Sequence, residues 1–232
     1  MISYHLDDAI AAITIDDGKV NALSLAVLAE LNAALDQAQR DDAVVILTGR
    51  EGVFSAGFDL PVLRAGGPDA LAMLHEGFEL AARLLAFPTP VVIACTGHAV
   101  AMGVFLLLCG DYRVGATGPY KISANEVAIG LTMPRAAVEI CRQRLTPAYF
   151  NRAVVLAETF SPADAVTAGF LDRTVQAFSV PGVARGVAAQ LATLDRPAHD
   201  ATKRRARAQA LSAIRSAIDA DVTAYPVQAP AS

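Results

Sequence analysis

The stretch that most limits the fold is Val91-Val92-Ile93-Ala94-Cys95, an all-apolar, β-branched run set between Pro90 and Gly97. A continuous apolar run of this length, bounded by turn residues, suits a strand covered on both faces, as in a parallel sheet layered with helices. Gly97–Asp111 follows at once and reads G-H-A-V-A-M-G-V-F-L-L-L-C-G-D. Ala99, Ala101 and Gly103 come first, then the apolar segment Val104–Leu108. Small residues at such a corner let the backbone come close to another group. A helix start also leaves N–H groups unpaired, with the positive end of the dipole behind them. That combination suits a developing negative charge.

The flanking sequence extends the strand–helix alternation. Ile10 to Ile15 reads as a strand ended by Asp16-Asp17-Gly18. Ser24 is placed to cap a helix in which Leu25, Leu28, Leu31, Ala34 and Leu35 keep helical spacing up to Asp41-Asp42. Val44-Val45-Ile46-Leu47 is a second buried strand, so the order indicates α/β layering. Gly52–Leu60 is another loop of small residues that enters a short helical segment. Asp69 is expected to cap a helix running to about Ala86, and short strands are expected at Tyr112–Val114 and Tyr120–Ile122. Pro134, Pro147 and Ser161-Pro162 start helices, and Leu171–Val175 reads as a last edge strand. A boundary near Phe178–Pro181 divides a core, residues 1–178, from a helical region, residues 179–232. Pro226–Ser232 is expected to fray.

Composition excludes several classes. With 232 residues and 54% hydrophobic content, a large buried core is assured. A net charge of -4 argues against a nucleic-acid surface. No apolar run is long enough for a membrane span. Met1–His5 has neither the basic region nor the apolar core of an export signal, and Cys95, Cys109 and Cys141 read as reduced core thiols, so a cytoplasmic location is expected. No Cys/His cluster has metal-ligand spacing.

Taken together, Lys19-Val20-Asn21-Ala22-Leu23, Phe54-Ser55-Ala56-Gly57-Phe58-Asp59-Leu60, Gly97–Gly103 with Asp111-Tyr112-Arg113, Asn125–Gly130 and Ser161–Asp172 resemble the crotonase (enoyl-CoA hydratase/isomerase) superfamily. The similarity runs in order along nearly the whole chain. It implies a spiral of ββα units with a helical C-terminal trimerisation region, an acyl-CoA thioester substrate, and a homotrimer or dimer of trimers. No cofactor is implied, because coenzyme A is part of the substrate.

In such enzymes two backbone N–H groups hold the thioester oxygen as an enolate forms. By position the resemblance puts these donors at Ala56 and Met102, with Gly103 beside the second. Removing one such donor typically costs about 2.7–4 kcal/mol of barrier. Hydratases of the family use two glutamates. Here one position falls on Phe105, which carries no proton, and the other on Glu126. A single carboxylate can take a proton from C2 and return it at C4, the pattern of the Δ3,Δ2-enoyl-CoA isomerases. Phe105 would also keep water away. Lys19, Ala22, Asp59 and Leu60 are expected near the nucleotide and pantetheine of the substrate, and Lys203 near the 3′-phosphate. The basic run around Lys203 also fits an ordinary solvated helix face.

His98 reads as a wall residue beside the donors, Asp111 as an ordering group after the buried helix, and Glu139 as part of a polar helix face. Gly97–Leu107 is also similar to the nucleophile segment of the Clp protease, but the nucleophile position is Ala101, which has no hydroxyl. A hydratase and a non-catalytic acyl-CoA-binding protein remain the competing functions.

Overall fold

A computed structural model of the chain describes residues 1–224; Pro226–Ser232, expected to fray, lie outside the described residues. The chain opens with β1 (Ile2–Asp7), an antiparallel partner of β2 (Ile10–Ile15). Next come β3 (Ala22–Leu23) and α1 (Leu25–Arg40), whose first turn is capped by Ser24 Oγ accepting from Val27 N at 3.3 Å. The chain continues with β4 (Val44–Gly49), β5 (Gly52–Ser55), β6 (Gly57–Phe58), α2 (Leu60–Ala65) and α3 (Gly67–Leu85). The central unit is β7 (Val91–Cys95), β8 (Gly97–Val100) and α4 (Met102–Leu108). After it lie β9 (Tyr112–Thr117), β10 (Ile122–Ser123), α5 (Arg135–Arg142), α6 (Pro147–Val154), α7 (Pro162–Ala168) and β11 (Arg173–Gln176). The last three helices are α8 (Val180–Leu191), α9 (Arg196–Ala206) and α10 (Ala208–Ala224).

The strands fall into a repeating pattern. The six-stranded sheet has the order β1-β2-β4-β7-β9-β11, and all its pairs after β1–β2 are parallel. The strands that follow β4, β7 and β9 in sequence do not join it. They form a second parallel sheet of order β10-β8-β5. Each turn of chain thus lays one strand in the large sheet, the next in the small one, and returns by helix. This is the ββα spiral that the resemblance implies.

β7 is buried at all five positions, as its composition requires. One face of the large sheet packs on α1, α3 and α4 in the main core. On the other face Val180, Ala184 and Ala188 of α8 close a smaller cluster over Val44, Val92 and Val114. No helix among the described residues is long and apolar enough to cross a membrane.

Two local expectations are corrected. α3 begins at Gly67, with Gly66 (φ 68°) as its cap residue, so Asp69 sits in the first turn near the positive end of the dipole rather than capping it. The strand expected at Tyr120–Ile122 is formed at Ile122–Ser123, where it pairs with Ala99 and Val100.

Candidate active site

The two small-residue loops meet. β6 ends the Gly52–Phe58 segment, and α4 starts just after β8. A Cβ placed on Gly57 (φ 93°) would sit 2.7 Å from Ala101 Cβ and 3.0 Å from Met102 N. One on Gly103 would collide with the Ser55 carbonyl oxygen. Glycine at both positions is therefore what lets the segments touch. Ser55 Oγ donates to Asn21 O (2.7 Å) and accepts from Gly57 N (3.1 Å). The buried Asn21 amide donates to Ile15 O, Val53 O and Phe54 O. Asn21 and Ser55 thus peg the loop to the sheet.

These contacts decide which N–H groups are free. Ala56 N, the expected first donor, donates to Val20 O at 3.0 Å, so that amide is spent within the fold. Asp59 N donates to Leu23 O at 3.2 Å across the β3–β6 pair. The regular β3–β6 pairing begins at Gly57, and neighbouring amides in it point opposite ways, so Phe58 N–H, next to Asp59 N, turns away from β3. Phe58 therefore replaces Ala56 as the available amide of this loop, a residue the sequence reading missed.

Met102 is the first residue of α4, so its N–H has no intrahelical acceptor. The preceding Ala101 holds φ 50° and ψ −129°, a region costly for a residue with a Cβ. This backbone orients the Met102 amide. The Met102 side chain is fully buried beside Gly77 of α3, whose missing Cβ also makes room for the Phe58 ring. It packs away from the cavity.

A cavity of about 140 Å³ opens beside these loops; Ala56, Phe58 and Ala101 line one end, with Phe105 and Glu126 beyond them. Phe105 is 1% exposed, and its ring lies 6.1 Å from that of Phe78, which meets Phe58 edge-on at 6.1 Å. Glu126 lies just before a single helical turn over Val127–Ile129, closed by Gly130 in the left-handed conformation. Its carbonyl accepts from Leu131 N at 2.9 Å, which fixes the turn. The residue is 7% exposed, and its Oε2 has no hydrogen-bond partner among the described residues. Burial pushes the Glu126 carboxyl up to about 7. Asn125 Oδ1, in the same wall, is likewise buried without a partner.

The remaining expected residues divide. Ala22 on β3 faces Gly57 on β6, and Leu60 lines the mouth of the cavity, so these two lie together with Asp59. Lys19 is exposed in the preceding turn, where its carbonyl accepts from Arg50 Nη1 at 2.7 Å. Lys203, expected near the 3′-phosphate, is turned into the fold in this chain. It is 6% exposed, and its Nζ sits 2.6 Å from Asp111 Oδ2. Asp111 also pairs with Arg207 (2.8 Å) and accepts from Val91 N. The Lys203 charge is neutralised inside the fold, at the start of β7. His98 accepts from Lys121 N at 2.9 Å and packs edge-on against Tyr120, as a wall residue does. Glu139 pairs with Arg142 on α5.

Comparison with known proteins agrees with this architecture. The family model for enoyl-CoA hydratase/isomerase matches residues 5–228. The chain is similar to the mitochondrial enoyl-CoA delta isomerase 1 of Homo sapiens, with 31% identity over 92% of this chain and 72% of that protein. It is also similar to a probable enoyl-CoA hydratase of Mycobacterium avium, with 30% identity over 92% of this chain and 79% of that one. Among solved structures, an enoyl-CoA hydratase/isomerase family protein from Pseudomonas syringae superposes with a TM-score of 0.95 at 47% identity, covering 96% of this chain and 97% of that one. The human mitochondrial delta3-delta2-enoyl-CoA isomerase superposes at 0.91 with 30% identity, covering 96% and 89%.

Proposed function

The chain belongs to the enoyl-CoA hydratase/isomerase family, and from that premise we propose that it shifts a double bond in an acyl-CoA thioester from C3=C4 to C2=C3. The observation that carries this reading is the lone carboxyl. Glu126 is the acid in the cavity wall, and by the family resemblance Phe105 falls where a hydratase has its second. Ionised Glu126 takes a proton from C2 of the 3-enoyl thioester, and the electron pair moves onto the thioester oxygen. The Phe58 and Met102 N–H groups hold that oxygen. Glu126, now a carboxylic acid, returns the proton to C4, and the enolate collapses to the conjugated 2-enoyl thioester. A base titrating near neutrality balances readiness to accept the proton against willingness to give it back. Phe58, Phe78 and Phe105 give the reacting end of the cavity an apolar, aromatic wall.

The test sets 3-hexenoyl-CoA beside 2-hexenoyl-CoA as substrates. Conversion of the first without hydration of the second supports the isomerase. Hydration of the second would instead make the protein a hydratase. Binding of both without turnover, unaffected by Glu126→Gln, would make it an acyl-CoA-binding protein.

A further inference from the structure

Leu74 and Phe78 of α3 and Pro134, just before α5, form one wall of the same cavity. Behind these three side chains lies a second void of only about 10 Å³, room for roughly one water-sized sphere, backed by Ile218 and Val222 of α10. The wall therefore has almost nowhere to retreat while α10 stays in place. Ile214, Ala217 and Ile218 seat α10 in the core, and Asp221 ties it to the start of α5. Asp221 accepts from Arg135 N at 3.1 Å and from Ala136 N at 3.0 Å, the first amides of α5. Pro134, at the cap position of α5, supplies no side-chain hydrogen bond, so a carboxylate 85 residues away caps this helix. Asp221 is 14% exposed at its side chain and also pairs with Arg135 Nη1 at 3.5 Å.

We propose that the Asp221 cap on α5 latches α10 against the Leu74–Phe78–Pro134 wall and thereby sets a chain-length ceiling, so that the substrate class is short-chain acyl-CoA thioesters. A closed apolar cavity of about 150 Å³ accommodates a benzene, six carbons; the cavity here, about 140 Å³, must hold the thioester carbonyl as well as the acyl chain. A chain of four to about six carbons fills it, and a longer one meets the wall. Asp221 acts here as a specificity-determining residue, remote from the reacting atoms. The inference rests on the acyl-CoA reading of the cavity but not on which reaction takes place there.

The experiment measures dissociation constants of saturated butanoyl-, hexanoyl-, decanoyl- and dodecanoyl-CoA by calorimetry, for wild type, Asp221→Ala and Leu74→Ala. Wild type should bind dodecanoyl-CoA at least about tenfold more weakly than hexanoyl-CoA, against the hydrophobic trend that favours the longer chain. Asp221→Ala should bring the two within about threefold of each other while hexanoyl-CoA affinity stays unchanged. Leu74→Ala, which shortens the wall without freeing α10, should likewise narrow the gap between the two chains, and decides the matter if Asp221→Ala does not fold. Equal or tighter binding of dodecanoyl-CoA by wild type would overturn the proposal. So would a gap that neither variant narrows. An intact affinity ladder with no double-bond shift in 3-hexenoyl-CoA would count against the isomerase reading alone.

Discussion

Lys203 Nζ lies 2.6 Å from Asp111 Oδ2, joining positions 92 residues apart at the edge of the β7–β9 pair. With Arg207 on the other carboxylate oxygen and Val91 N donating as well, the aspartate ties α9 to the mouth of the central strand. Buried pairs of this kind cost much to break from one side, because the partner is left without compensation. Burial itself pulls the Lys203 ammonium down, against the raising influence of Asp111.

Lys203→Met should therefore cost about 3 kcal/mol, Arg207 remaining to compensate part of the aspartate charge. For a chain of this size the melting temperature should fall by roughly 10 °C. Coenzyme A affinity should stay within about twofold of wild type. Calorimetric melting and a CoA titration check both halves. A large loss of affinity with an unchanged melting temperature would restore the phosphate-contact role that the sequence suggests.

Glu126 links activity and stability across one pH window. Its carboxyl is raised from 4.5 to about 7, so the folded chain holds that proton more tightly than the unfolded chain does. Its contribution to stability is fully present below about 4.5 and is lost as pH rises through about 7. The amount lost is about 3 kcal/mol. Turnover runs the other way, since only the ionised form accepts a proton, and kcat/KM for a 3-enoyl-CoA should rise to a plateau above about pH 7. Glu126→Gln should lower turnover by about 10²–10⁴-fold and flatten the decline of stability between those two pH values. Denaturant melts at pH 5 and pH 8, together with a pH–rate profile, measure both.

How far the sequence discloses this molecule depends on the distance over which each fact is decided. The buried run at β7, the Ser24 cap and the Asn125-Glu126 step are local patterns, and the structure puts each in a matching place. β1 is less legible, because only Ile2 and Tyr4 of its residues are even half-buried and its alternation is weak. Which amide of the Phe54–Leu60 loop is free is not a local property at all. It follows from the pairing of β6 with β3 and from the Val20 carbonyl reaching Ala56. The Lys203 and Asp221 roles are of the same kind, since each is defined by a partner more than 80 residues away.

The reassigned donor can be tested at the level of one atom. Replacing a single backbone amide by an ester removes the N–H and leaves the side chain in place. An ester at Phe58 or at Met102 should lower kcat by about 10²–10³-fold with little change in substrate affinity. At Ala56 the same change breaks the bond to Val20 O, so it should cost about 1 kcal/mol of stability and leave kcat within a few-fold. A collapse of kcat at Ala56 with normal turnover at Phe58 would reverse the assignment.

Ala101 pays for the orientation of the second donor. Its φ of 50° with ψ of −129° is a conformation natural to glycine, and a Cβ there costs of order 1–3 kcal/mol. Ala101→Gly should relieve that strain, offset in part by the greater freedom of glycine in the unfolded chain. The net gain should be about 1 kcal/mol, seen as a rise of about 2–4 °C in the melting temperature. The Met102 amide is also held by the contact of Gly57 with the start of α4 and by the seating of the Met102 side chain beside Gly77. Turnover of a 3-enoyl-CoA by the variant should therefore remain within a few-fold of wild type, whereas a loss of about 10²-fold or more would show that the strained alanine itself sets the donor.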